Sequence, residues 1–277
     1  MSYLIDIEAR LGAFSLKVDL DSEKMNAGRV LALLGPSGSG KTMTLRYVAG
    51  TAKPDRGRIV VNGTTFFDSE AGIWLRPQER RVGYLFQNYA LFPNMTVLEN
   101  IETGITGAMM QEKLAGKRHA ECAQRASRKE RREKAAGWAA RVHLEGVLDR
   151  RPGQQSGGQQ QRCALARILA GNPQIVLLDE PFSALDEYLR DELMAETMGV
   201  LEKLRIPVLF VTHSSYEARQ ASTGVAVIYD GAIMETGKTE DVYSTPASEW
   251  GKILTHYPLS DAGLPAAKPP CGYIQRT

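Results

Sequence analysis

The chain has 277 residues, 43% of them hydrophobic, enough to bury a sizeable core in one large domain with room for a small appendage. Its 34 lysines and arginines nearly balance 32 aspartates and glutamates, so overall charge gives no attraction to nucleic acid and any charge-driven partner has to be met locally. Cys122, Cys163 and Cys271 are odd in number and lack metal-ligand spacing, which fits a reducing compartment, and neither the opening MSYLIDIEARLG nor any later stretch has the apolar run of a secreted or membrane-spanning chain.

Along the chain, RVLALLG (29–35), VGYLFQ (82–87), QIVLLDE (174–180) and PVLFVTH (207–213) are short, almost continuously apolar runs, as strands covered on both faces are. Helical segments lie between them: TMTLRYVAG closes at Gly50, QQRCALARILAG closes at Gly171 with Pro173 beyond, and YLRDELMAETMGVLEKLR runs to Pro207. This alternation predicts an α/β domain on a mostly parallel sheet. GRIVVNGTTFF and VAVIYDGAIMETG instead alternate about a turn, the second at Asp230-Gly231, so an antiparallel β part accompanies the parallel core. Residues 104–150 lose the strand rhythm and read as a helical insertion. Its basic run from Lys113 to Lys134 is interleaved with Glu121, Glu130 and Glu133, the pattern of a solvated helix face. The segment PLSDAGLPAAKPPCGYIQRT after Tyr257 is rich in proline and small residues and predicts a loosely ordered tail.

GPSGSGKT, comprising Gly35, Pro36, Ser37, Gly38, Ser39, Gly40, Lys41 and Thr42, matches G-x-x-x-x-G-K-[ST] between a buried strand and a helix. Glycines let successive N–H groups turn toward phosphate oxygens, the helix N-terminus adds its positive end, Lys41 reaches the β- and γ-phosphates, and the Thr42 hydroxyl serves Mg²⁺. QIVLLDEP ends an apolar strand in two acids, which puts carboxylates at the strand's C-terminal edge, where ligands sit in open α/β sheets. Asp179 is the candidate for the Mg²⁺ shell and Glu180 for the base that orients or deprotonates the attacking water. Ser156 followed by Gln159 has the spacing of a capping box at a helix start.

Together the phosphate loop, QSGGQQQR and LLDEPFSALD resemble the ATP-binding subunit of ABC transporters, a P-loop NTPase fold, over about residues 4 to 245. The resemblance implies an ATP-binding domain over 1–245, with a helical subdomain at roughly 100–160, and a short tail over 246–277 in place of a full regulatory β-barrel. It also implies a head-to-tail homodimer in which Ser156, Gly157, Gly158 and Gln159 contact the γ-phosphate of ATP held by the partner's phosphate loop. Gln155 departs from the family pattern, which has leucine there. Gln87, in LFQNYALFPNMTV, matches the glutamine that lies near Mg²⁺ and the attacking water; from spacing alone it equally reads as a polar residue ending a strand. Asp186 closes SALD and matches the aspartate linking the two sites. His213 matches the histidine that contacts the γ-phosphate, though a lone histidine closing a strand also has a structural reading. Phe14 is the nearest aromatic for stacking on adenine, with strand packing as its alternative.

The same resemblance implies two transmembrane permease subunits, with Leu91, Phe92, Pro93, Met95 and Val97 as apolar docking surface, a periplasmic or extracellular solute-binding protein acting indirectly, and a peripheral site on the cytoplasmic face of the membrane. No nucleic acid is expected. Within the family, LFQNYALFPNMTVLENI is similar to importers, and RLGAFSLKVDLD is closest to the short hairpin of molybdate and tungstate importer ATPases. Sulfate, thiosulfate, ferric iron, polyamine and sugar importers share most of these motifs. A soluble ABC-type ATPase acting on nucleic acid or ribosomes is the competing reading, with the basic insertion as its support.

Overall fold

Strict alternation of apolar and polar residues makes Tyr3–Leu11 (β1) and Phe14–Asp21 (β2) an antiparallel pair with one covered face: Ile5, Ile7, Leu16, Val18 and Leu20 are buried, while Asp6, Glu8, Lys17 and Asp19 are exposed. The computed structural model describes residues 2–25, 28–114, 128–183 and 187–255, and its described strands form one 11-stranded sheet. The uniformly apolar runs become Val30–Leu34 (β3), Val82–Leu85 (β7), Ile175–Asp179 (β8) and Val208–Thr212 (β9), joined in parallel register β3-β9-β8-β7. Every residue of β8 and β9 is buried, because helices cover both faces.

Lys41–Ala49 (α1) packs on one face of β8 and β9. On the other face, Gly157–Ala170 (α4), Glu187–Leu204 (α5) and Ser215–Ala221 (α6) contribute Leu165, Leu169, Leu193 and Ala218 to a core shared with Val176, Leu178 and Phe210. Thr239–Ser244 (α7) and Glu249–Leu254 (α8) follow the last strands. The helical insertion consists of Val97–Leu114 (α2) and Arg128–Arg141 (α3), which form a third core with α4 through Val97, Ile101, Ala135, Ala139 and Cys163. Part of its described basic face is ion-paired, with Arg131 Nε 3.3 Å from Glu102.

The structure shows how the antiparallel part joins the core, and it moves one helix boundary of the sequence reading. The antiparallel strands Arg56–Val61 (β4), Thr64–Asp68 (β5) and Ile73–Trp74 (β6) belong to the same sheet as the parallel core. The join runs through Gly224–Tyr229 (β10), which pairs in parallel with β3 and antiparallel with Ala232–Lys238 (β11). Helix α2 also begins at Val97, ahead of 104, because Thr96 and Glu99 form a reciprocal cap: Glu99 N–H donates to Thr96 Oγ1 at 3.2 Å and Thr96 N–H to Glu99 Oε2 at 2.8 Å.

Candidate functional site

The phosphate loop spans the turn from β3 into α1, with Ser37 and Gly38 exposed at its apex. Gly40 caps α1 at φ 102°, a left-handed conformation, and a methyl group there would strike Leu16 of β2 and lie 3.5 Å from the Phe14 ring. Phe14 is therefore packed at the loop's flank, half-buried against the core. Helix α1 has neither a side-chain cap nor an acidic residue in its first turn, so no side chain competes with an anion for its first N–H donors. Lys41 is 5% exposed and its Nζ donates to the carbonyls of Gly35 and Pro36, both at 2.8 Å. Burial pushes its ammonium below the ordinary lysine range, while Glu180 and Asp179 act in the opposite direction.

Opposite the loop, β8 ends in Asp179, whose Oδ1 accepts from Thr42 Oγ1 at 2.9 Å and whose Oδ2 accepts from Tyr84 OH at 3.0 Å. Burial first, and then the Asp179 charge, raise the Tyr84 phenol pKa, which keeps it a donor. Glu180 follows in a left-handed conformation, φ 47°, with its N–H bonded to Val211 O at 3.1 Å. Its carbonyl accepts from Ser183 N at 3.3 Å and Ser183 Oγ at 2.9 Å, which holds that turn closed. Its carboxylate Oε2 lies 3.3 Å from His213 Nδ1. Gln87 Nε2 donates to Ser183 Oγ at 3.4 Å, so the glutamine, serine, glutamate and histidine form one linked set. Lys41, Thr42, Gln87, Asp179, Glu180 and His213 all stand at or beyond the C-terminal ends of β3, β7, β8 and β9, the edge at which open α/β sheets bind ligands.

Tyr84 and Ser183 escaped the sequence reading. Tyr84 is in register with Leu177, so it shares a sheet face with Asp179 two residues on, a pairing that no local pattern carries. Asp186 lies outside the described residues.

The signature segment is built differently. Ser156 caps α4, accepting from Gln159 N at 3.3 Å, while Gln159 Oε1 accepts from Ser156 N at 3.1 Å, so the capping box is formed. Ser156 and Gly157 are exposed, and Gly158 is buried where a methyl would crowd Leu193 of α5. Gln155 is 8% exposed; its Nε2 donates to Arg150 O at 3.2 Å, and its Oε1 is buried without a partner. At the other end of α4, Arg167 donates to Tyr89 O at 2.9 Å and Ala90 O at 2.7 Å and stacks over Phe92, which fastens this helix to the segment after Gln87. Tyr89 and Ala90 are both left-handed, at φ 59° and 45°.

Of the predicted apolar surface, Phe92, Pro93 and Met95 are exposed and Leu91 is half-buried. Val97 is fully buried, because as the first residue of α2 it faces the helical core. Phe86 joins the exposed set, stacked on Tyr84, and with Phe92, Thr103, Ala108 and Arg167 lines a groove of about 410 Å³ between the parallel sheet and α2. No described helix is long and apolar enough to cross a membrane.

A glycine loop opening an uncapped helix, a hydroxyl and a carboxylate meeting beneath it, and an acid and histidine at the next strand ends define a P-loop nucleotide-binding cassette. The chain belongs to the ABC transporter family, whose model matches residues 19–183, and its fold is the ABC ATPase cassette. It is 39% identical, over 90% of its length, to the sulfate/thiosulfate import ATP-binding protein CysA of Halalkalibacterium halodurans, covering 64% of that protein. To the spermidine/putrescine import ATP-binding protein PotA of Nitratidesulfovibrio vulgaris it is 41% identical over 83% of its length, covering 56% of that relative. The Fe(3+) ions import ATP-binding protein FbpC 1 of Rhizobium meliloti matches at 40% over 86% of this chain and 61% of its own. The chain thus spans less than two thirds of these curated relatives. Among solved structures it is similar to a dimeric post-hydrolysis state of the ATP-binding cassette MJ0796 bound to ADP and Pi, with TM-score 0.66 and 29% identity over 86% of this chain and 99% of that one.

Proposed function

We propose that the chain binds and hydrolyses ATP as the energising subunit of an import-type transporter. The convergence of Lys41, Thr42, Asp179, Glu180, His213 and Gln87 at one edge of the parallel sheet carries this reading. In it, the residues from Gly35 to Thr42 cradle the phosphates, and Phe14, beside Gly40, is the aromatic surface nearest the loop for adenine. Thr42 and Asp179 suit a magnesium ion, because they bring two hard oxygen donors to one point. When bound, Mg²⁺ neutralises charge on the phosphate oxygens. Glu180 accepts the proton of the attacking water, Gln87 orients that water, and His213 contacts the γ-phosphate from the end of β9. Phosphoryl transfer asks for little beyond this positioning and charge.

The site is completed by a second copy. Ser156 and Gly157, exposed at an α-helix N-terminus, are suited to meet a phosphate that the partner's Lys41 holds, with Asp186 linking the two sites. The groove lined by Phe86 and Phe92, together with exposed Met95, is the docking surface for two permease subunits, and in this reading the chain sits peripherally on the cytoplasmic face of the membrane. As cargo we propose an oxyanion, supported by the relatives named for sulfate/thiosulfate import, with molybdate or tungstate as the narrower candidates on the short β1–β2 hairpin. Polyamine and ferric-ion relatives, at 41% and 40% identity against 39% for the sulfate/thiosulfate relative, make those cargoes the alternatives. ATPase stimulation of the reconstituted complex by sulfate, molybdate, spermidine or ferric ion, each with its binding protein, discriminates among them.

The central test is Glu180→Gln. Hydrolysis is expected to fall by about 10²- to 10⁴-fold, the usual share of a general base, with ATP now trapping a dimer in size-exclusion chromatography. An unchanged rate would remove Glu180 from the role of base.

A further inference from the structure

Behind the histidine lies a buried carboxylate that the proposed chemistry leaves without a role. Glu217 of α6 is 3% exposed, in a position where an apolar or amide side chain would fill the same space at less desolvation cost. Its Oε2 accepts from the Thr212 hydroxyl at 2.5 Å, and that hydroxyl oxygen in turn accepts from Ser214 N–H at 3.0 Å. Thr212 and Ser214 are the two neighbours of His213, so one carboxylate controls the backbone on both sides of the ring. Ser214 Oγ accepts from Glu217 N–H at 3.3 Å, which closes the loop onto the start of α6.

The remaining surroundings distinguish a carboxyl group from an amide at this position. Glu217 Oε1 faces Arg190 of α5 at 3.9 Å, and α5 begins directly after Asp186. The charged groups around the carboxyl are Arg190 from α5, His213 from the end of β9 and Glu180 from the end of β8. Burial raises the Glu217 pKa, while the Thr212 hydrogen bond, Arg190 and His213 lower it and Glu180 raises it further. A charge-assisted acceptor holds Thr212 more firmly than an amide would, and only a carboxylate attracts Arg190 as well. His213 itself is half exposed and meets Glu180 at 3.3 Å, so its placement depends on the backbone that carries it.

We infer that Glu217 is a positioning residue for the hydrolytic site: acting through Thr212, it sets where His213 stands relative to Glu180, and through Arg190 it ties that placement to the helix that follows Asp186. The inference rests on the ATPase reading above. Glu217 acts on the Thr212 hydroxyl, whereas the Thr212 carbonyl, which accepts from Gly35 N–H at 3.4 Å at the start of the phosphate loop, is held by the pairing of β9 with β3; removal of the carboxylate is therefore expected to act on turnover more than on nucleotide affinity.

The experiment measures steady-state and single-turnover hydrolysis of MgATP by the purified chain, with nucleotide affinity and melting temperature measured in parallel. Glu217→Gln is expected to lower kcat by about 10- to 100-fold, the effect of a sub-ångström misplacement at a reacting centre, with KM within about twofold of wild type. Thr212→Val reproduces that loss, while Thr212→Ser, which keeps the hydroxyl, restores most of the rate. In a His213→Ala background, Glu217→Gln costs less than about twofold, since a residue that acts through His213 has nothing left to position. An equal cost in both backgrounds, wild-type kcat in Glu217→Gln, or a loss of affinity and melting temperature in step with kcat would each overturn the assignment. A wild-type chain that binds MgATP without hydrolysing it would instead defeat the ATPase reading itself.

Discussion

The phosphate loop and the signature segment are both glycine-containing turns that open a helix, yet the two helix starts are built in opposite ways. At the phosphate loop, Gly40 provides a left-handed cap with no side chain on the helix donors, Lys41 is buried beneath the loop, and Thr42 already reaches Asp179 across the sheet. At the signature segment the helix start is closed on itself, because Ser156 and Gln159 satisfy each other's N–H groups. The first is committed to a ligand by geometry, the second to its own helix. A capping box satisfies part of the first turn without removing the positive end of the helix, and Ser156 and Gly157 remain exposed there. The segment is thus stable without a partner and able to accept one.

Substitutions that strike one turn and spare the other test this division. The largest effect is expected for Ser156→Arg. An arginine at that exposed position sets a bulky cation against the partner's face, where like-charge or steric mismatch costs several kcal/mol, enough for about a 10²- to 10³-fold loss of turnover. Binding of ATP to the single subunit, followed by fluorescent-nucleotide titration, should be unchanged. Weaker binding would mean that the segment supports the fold of its own phosphate loop. Lys41→Ala has the opposite signature. Losing charge-assisted bonds to phosphate weakens ATP binding by the isolated subunit by about 10- to 100-fold. If Lys41→Ala left single-subunit affinity intact, the loop would not be the primary nucleotide contact.

The contrast was legible to different degrees in the residues themselves. The phosphate loop could be read because its chemistry is contiguous: glycines, lysine and threonine lie within one turn between a strand and a helix. The hairpins were equally plain, since Asn62-Gly63 and Asp230-Gly231 adopt the paired positive φ values, 47° with 77° and 44° with 78°, that such dipeptides favour. Contacts between residues far apart in the chain were not readable. Tyr84 reaches Asp179 only because β7 and β8 run in parallel register, and Arg167 reaches Tyr89 and Ala90 only because α4 packs beside β7. The joining of the antiparallel strands to the core depends on β10 pairing with β3 across most of the chain, which no local pattern announces. Helix α2 is a different case: TVLE carries its cap, so the start at Val97 is local information that the change in composition at 104 does not show.

The smallest effect concerns Gln155, the position at which the signature segment departs from its family pattern. Family resemblance implies leucine there, and the structure gives the glutamine a leucine's burial: 8% exposed, with one amide hydrogen bond to Arg150 O at 3.2 Å and Oε1 without a partner. A buried acceptor without a partner costs about 1–3 kcal/mol, whereas the one long hydrogen bond returns about 0.5–1.5 kcal/mol. Gln155→Leu removes both and adds apolar burial, so a net gain of about 1 kcal/mol is expected, a rise of about 2–4 °C in Tm for a domain of this size. Differential scanning calorimetry checks it. A lower Tm would mean that the bond to Arg150 holds the 150–155 turn in place, making the glutamine a structural substitute for the leucine. Because Ser156 and Gly157 keep their places on the helix, single-subunit ATP binding should not respond to this change, whereas the same measurement responds strongly to Lys41→Ala. That separation is the comparison in its finest form, one residue beside the signature that alters only how firmly the turn is held.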